Sequence, residues 1–345
     1  MNKSSSSTSK KTLKTSVLFF LVPGISLLCA SLVNAQEPES LDSHKTALPI
    51  ENEKSTDQPI ASPALAPYAM PWQLRAIIPG TGARFDSAIA FYEDKNGNSG
   101  GTAVASMLGG AYKLLPELAL SMRLGFVNNN PPASAPSATS FINPLLGGLY
   151  SFKLSSDFRL TFFLGMTAPI GMGGGNYPDP AIQSANSAGI LVRSAMDNAL
   201  FAVNYFTVIP GVDLAYVAHG VTVQLEATLL QLTRVRGEQI DKDPSRTNFT
   251  SGVTVGYAFT PQVFLVSELR YQRWLDNQTV AASASPATEN LSFAVGPRVQ
   301  FKAGDLTMKP GLAYAQGILG PMARGGYTYP TNSDKIIFLD FPVSF

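Results

Sequence analysis

The sequence predicts an all-β fold, a twelve-stranded antiparallel transmembrane β-barrel. Three observations carry that expectation. Strict alternation of bulky apolar with small or polar residues recurs from about residue 84 onward. The connections between the alternating stretches are by turns short and long. Charged residues make up only 14% of the chain, below the usual quarter, yet no stretch after residue 35 is apolar enough, for long enough, to span a bilayer as a helix. Low charge, 29 glycines and no membrane helix suit a sheet closed on itself within lipid.

The elements follow in chain order. Lys3, Lys10, Lys11 and Lys14 precede the apolar run "SVLFFLVPGISLLCASLVNA", which ends on the small-residue pattern Val33-Asn34-Ala35. Residues 1–35 therefore read as a cleaved secretory signal, with an uncleaved anchor as the weaker alternative. Cys29 lies inside this segment behind Leu28, which is not the small residue a lipid anchor requires. The mature chain would then hold no cysteine, which excludes disulfides and thiolate chemistry. Residues 36–71 are proline-rich without a sustained period and read as a disordered periplasmic linker that leaves His44 solvated. Residues 72–345 are assigned to the barrel. The net charge of +1 offers no nucleic-acid footprint.

Within the barrel, Leu118, Leu120, Met122, Leu124 and Phe126 share one face, opposite Ala119, Ser121, Arg123 and Gly125. Phe158, Leu160, Phe162, Leu164 and Met166 alternate with Arg159, Thr161, Phe163 and Gly165. Leu291, Phe293, Val295, Pro297, Val299 and Phe301 alternate with Ser292, Ala294, Gly296, Arg298 and Gln300. Short connections fall near 114–117, 154–157, 218–220, 260–262 and 303–305. Long ones fall near 93–101, 129–139, 170–200, 236–247, 275–289 and 317–334. Five short turns and six long loops separate twelve strands of about ten residues, the pattern of a bacterial outer-membrane barrel with short periplasmic turns and long outer loops. The expected location is the outer membrane of a Gram-negative-type bacterium, with both barrel ends on the periplasmic side.

The last strand, "KIIFLDFPVSF", carries a family resemblance. Ile337, Leu339, Phe341, Val343 and Phe345 alternate up to a terminal aromatic, which resembles the sorting signal of outer-membrane β-barrel proteins. The resemblance implies membrane lipid and the barrel-assembly machinery as partners, with Phe345, Val343 and Phe341 as the assembly signal. More broadly the chain is similar to transporters grouped with a meta-pathway of phenol degradation, and no functional residue carries over from them. Pro144, Pro210, Pro297, Pro310 and Pro342 depart from the strand pattern, because proline removes a ladder donor. "WQLRAIIP" (72–79) fits a thirteenth extended segment, an inner plug or a strand cap.

Candidate chemistry is sparse. Catalysis of the phospholipase or omptin type needs a histidine near the outer rim, but His44 falls in the linker and His219 in a short periplasmic turn. "GMGGGN" (171–176) caricatures a dinucleotide fingerprint, but its flanking strands read as antiparallel. It reads instead as a hinge before a helix with Asp179 as N-cap and Pro180 at the first position, standing outside or folded into the lumen. Neither enzyme activity, cofactor nor metal is expected.

The inward face is the most informative. A His219-Gly220 turn sets Asp213 opposite Glu226, and an Ala303-Gly304 turn sets Arg298 opposite Lys309. Directly opposed like charges are unfavourable, so each pair calls for a counter-charge, an ion or water. Two readings follow for the lumen charges Arg123, Arg159, Asp213, Glu226, Glu268, Arg270, Arg298, Lys309 and Asp340, joined by Arg84 and Asp86. They either neutralise one another in a structural network or form opposed walls with a transverse field across water. The expected function is passive or substrate-selective passage of a small solute. The alternative is a closed structural or adhesive barrel whose loops bind an external partner. The sequence sets neither the solute nor the oligomeric state.

Overall fold

The computed structural model describes residues 67–92, 100–132, 135–238, 244–276, 289–319 and 335–345. The expected signal segment (1–35) lies outside the described residues, as do most of the expected linker and the central parts of several long loops.

One antiparallel sheet runs through the chain and closes when its first and last strands pair. The strands are β1 (Gly82–Tyr92), β2 (Gly101–Lys113), β3 (Leu118–Asn130), β4 (Ala138–Phe141 with Leu145–Lys153) and β5 (Phe158–Thr167). They continue as β6 (Tyr205–Ala218), β7 (Val221–Arg234), β8 (Ser245–Thr260) and β9 (Val263–Trp274). β10 (Glu289–Val299 with Phe301–Ala303), β11 (Leu306–Met308 with Gly311–Leu319) and β12 (Lys335–Ser344) complete the ring. Fifteen segments, three of them continuations of a neighbour, thus make twelve staves. Pro144 and Pro310 stand in two of those interruptions, where a residue without an N–H costs no ladder bond.

The alternation resolves as expected. Leu120, Leu164 and Phe301 are exposed on the outer face, where lipid covers them. Exposed Tyr112, Phe152, Phe158, Phe259 and Phe345 cluster near the short turns and form an aromatic girdle at that boundary. Charges point inward, which avoids the roughly 2–4 kcal/mol that a lipid-facing Arg or Lys costs at the midplane.

The interior is occupied by two inserted pieces. Residues 67–81 run through the lumen before β1, so "WQLRAIIP" is an inner segment. The expected linker ends earlier than residue 71, because Tyr68 and Ala69 are already buried. The loop after β5 also folds inward as α1 (Pro180–Val192) and the short α2 (Asn198–Phe201). Asp179 caps α1, its Oδ1 accepting from Ala181 N at 2.8 Å, with Pro180 at the first helical position.

One expected register is corrected. Arg298 pairs with Gly311, not Lys309, and Phe301 pairs with Met308, not Leu306. Val295 faces Tyr314 and Phe293 faces Gln316, so the Pro297–Pro310 opposition also disappears. The turn is Gly304-Asp305, one residue later than expected: Gly304 has φ 63°, and Ala303 pairs with Leu306. Moving the turn by one residue moves the register by two, so every side chain keeps its face. The other hairpin turns at His219 (φ 52°) and Gly220 (φ 76°) and keeps the expected Asp213–Glu226 pair.

Candidate functional site

Glycines on the inner face seat the inner segment. A Cβ on Gly256 would stand 2.2 Å from the Ala69 Cβ, and one on Gly311 would stand 2.6 Å from the Trp72 ring. Gly252 and Gly211 receive Leu74 and Arg75 in the same way, at 2.7 and 2.5 Å. The segment lies in notches that any larger residue would fill.

Its polar groups tie it to the wall. Glu268 on β9 accepts from Trp72 N at 2.8 Å and from Gln73 N at 3.1 Å. Glu268 also pairs with Arg270 at 2.8 Å. Arg270 in turn reaches the Gln73 side chain and, at 2.8 Å, Ser194 Oγ beyond α1. Ser194 and Ala195 both adopt φ 56°, a strained state for residues with a Cβ. Packing holds them there, since Ser194 is fully buried and its carbonyl accepts from Asn290 Nδ2 at 3.1 Å.

Arg193 closes α1 between two carboxylates, Asp86 on β1 and, at 2.8 Å, Asp197. Arg123 on β3 bridges the same two acids at 3.4 and 2.9 Å. Burial alone would raise the Asp197 carboxyl, but Arg123 and then Arg193 outweigh it and hold it down at about 2. Asp340 on β12 lies between Arg84 at 2.8 Å and Arg298 at 2.5 Å. The Arg298 guanidinium stacks 4.4 Å over Trp72 and donates to the Lys309 carbonyl at 2.7 Å.

The opposed acids have their counter-charge. Arg75 of the inner segment meets Asp213 and Glu226, each at 3.3 Å, and donates its backbone N–H to Glu226 at 2.8 Å. Its guanidinium lies 4.6 Å over the Phe163 ring. Six guanidiniums, of Arg75, Arg84, Arg123, Arg193, Arg270 and Arg298, thus engage six carboxylates, of Asp86, Asp197, Asp213, Glu226, Glu268 and Asp340.

The structure brings together seven of the nine lumen charges singled out in the sequence. Lys309 borders the same cluster with its ammonium outside the ion pairs. Arg159 stands apart, paired in register with Lys153 beside a short turn. Sequence reasoning missed Arg75, Arg193 and Asp197, which lie on inserted pieces rather than on alternating strands. The unbalanced Asp213–Glu226 pair was the available signal that a cation had to come from elsewhere.

Toward the short turns the lumen holds a cavity of about 460 Å³. Thr81, Lys309 and Ser344 border it near the turns, Arg75 and Arg123 higher up, and Phe163 of β5 and Leu200 of α2 on the far side.

The barrel is similar to the crystal structure of the COG4313 outer membrane channel from Pseudomonas putida F1. The TM-score is 0.51 at 16% identity, over 80% of this chain and 99% of that one. The fold is that of an outer-membrane β-barrel. Two further porins are similar to this barrel at lower scores. The NanC porin has a TM-score of 0.47 at 12% identity, over 76% of this chain and 98% of that one. The KdgM porin has a TM-score of 0.43 at 10% identity, over 76% of this chain and 99% of that one. No protein-family model matches the barrel's sequence, and no curated protein shows significant sequence similarity to it.

Proposed function

We propose that the barrel is a passive channel for a small solute. The observation that carries this reading is the cavity of about 460 Å³ left beside the inserted segments, in the size range of small-molecule sites. A barrel of twelve staves stands between those that side chains fill and those that leave an aqueous channel. Here much of the space is taken by residues 67–81, α1 and α2, and the cavity remains beside them. Planar-bilayer recording of the purified barrel tests the reading: discrete conductance steps are expected, and a folded barrel that passes no current refutes it.

The second reading is a closed structural or adhesive barrel. The fully buried Arg193, Arg270 and Arg298 favour it, because they lock the inserted pieces to the wall. An enzyme is the weakest class, since His219 sits in a turn at the periplasmic end, away from the outer rim where such sites would stand.

A further inference from the structure

We propose that the lumen cavity recognises apolar monoanions, solutes with one carboxylate or similar anionic head on a hydrocarbon body. The proposal rests on the channel reading and names its substrate class. Barrel lumens of this kind are polar, whereas this one is divided. On the wall formed by β4 to β7, Leu145, Leu149, Phe163, Ile209 and Leu230 border the cavity. Apolar surface that confined water would otherwise cover is better covered by hydrocarbon.

The wall of β10, β11, β12 and β1 has the opposite character. Arg84 and Arg298 both engage one carboxylate, Asp340, and Lys309 lies beside them, its carbonyl accepting from Arg298. The ion pairs answer Arg84 and Arg298 through Asp340, and the Lys309 ammonium is the cation left over beside them. Lys309 borders the cavity, and its ammonium has no acidic partner among the described residues. The other acids at the cavity are engaged: Asp86 and Asp197 by Arg123 and Arg193, Glu226 by Arg75. A polar anion would leave the apolar strip wet, and a neutral hydrocarbon would leave Lys309 unanswered. A solute carrying both features satisfies both walls, the pattern of a mostly apolar pocket with a few placed polar groups.

The test is block of the potassium chloride current through the barrel in a planar bilayer by three probes: cyclohexanecarboxylate, cyclohexanecarboxamide and glucuronate. The carboxylate should block at a concentration about tenfold below either of the others, the effect of one charge-assisted contact or of a buried ring. Lys309→Gln should abolish its advantage over the carboxamide, and Leu149→Ser its advantage over glucuronate. Equal potency of the carboxylate and either probe overturns the proposal. So does a conducting barrel that none of the three blocks, which leaves the channel reading intact. A folded barrel without current sinks the channel reading instead. Calorimetric titration of the detergent-solubilised barrel then decides the site: preference for the carboxylate upholds it, and no preference overturns it.

Discussion

Arg75 is the residue on which the lumen electrostatics turn. Among the described residues it is the cation that faces the two carboxylates that the β6–β7 hairpin forces into direct opposition. Arg75→Gln should lower stability by about 3 kcal/mol, the low end for breaking a buried ion pair, because its side chain keeps 19% of its exposure. Heat-modifiability on gels would register this as a lower unfolding temperature, and Asp213→Asn in the same chain should restore most of the loss. Selectivity should follow the same charges. Replacing Arg298 and Lys309 by Gln should move the reversal potential in a salt gradient toward cations, and replacing Asp213 and Glu226 by Asn and Gln should move it toward anions. If neither double variant shifts it in a conducting barrel, the charges serve only the structure. Asp197 adds a pH dependence. Its carboxyl is held at about 2, below the ordinary 3.8, so the stability it contributes is complete above pH 3.8 and lost as pH falls through about 2. Asp197→Asn should be less stable at neutral pH and should lack that step in acid melts. At this scale the sequence is legible in type and face but not in partner. Arg298 points inward as expected, yet its cross-strand neighbour is Gly311 rather than Lys309, because one residue of turn position moves the register by two.

At the scale of elements, the glycine notches and the last strand make separable claims. Gly256→Val or Gly311→Val should expel Ala69 or Trp72 from its seat. The emission of Trp72 should then shift toward that of a solvated indole, and single-channel conductance should rise as the inner segment loosens. Unchanged emission and conductance would mean that the segment is held by its ion pairs alone. The last strand is proposed as the assembly signal. Phe341 and Phe345 are 49% and 59% exposed on its lipid face, with Val343 between them. Phe345→Ala, or deletion of residues 342–345, should reduce insertion while leaving export intact, read as the amount of heat-modifiable barrel in outer-membrane fractions. The strands themselves are legible because a period of two, broken by short turns, arises from a sheet whose two faces meet unlike surroundings. The inner segment is not, because "WQLRAIIP" has neither a strand nor a helix period and its partners are glycines scattered over distant strands.

Over the whole molecule, the two inserted pieces and the wall form one charge-balanced unit, with Gln73 joining Arg193, Asp197 and Arg270 at its centre. The acidic wall sets Asp213 and Glu226 against Arg75, and the basic wall sets Arg84 and Arg298 against Asp340, with Lys309 beside them. Deleting residues 67–79 should therefore have a double effect. Conductance should rise because the lumen empties, and the unfolding temperature should fall because Glu268, Asp213 and Glu226 lose their partners. A wider pore without loss of stability would show that the segment is dispensable filling. Architecture, topology and the inward placement of charge can be read from the chain. How those charges pair cannot, since Arg75, Arg193 and Asp197 come from segments with no repeating pattern to fix their place.

The closure of the ring has a consequence in time. Residue 81 runs directly into β1, and β1 is sealed to β12 from Gly82–Ser344 to Phe91–Lys335. The segment that fills the lumen is therefore tethered at the seam itself. Its seats lie on β6, β8 and β11, strands synthesised after it. A closed wall offers the filling no sideways way in, so seating it before the first and last hems meet is the direct route. Ion pairing in the interior and zipping of the seam then become one late event, and a chain whose Glu268 cannot hold Trp72 should stall with its hem open.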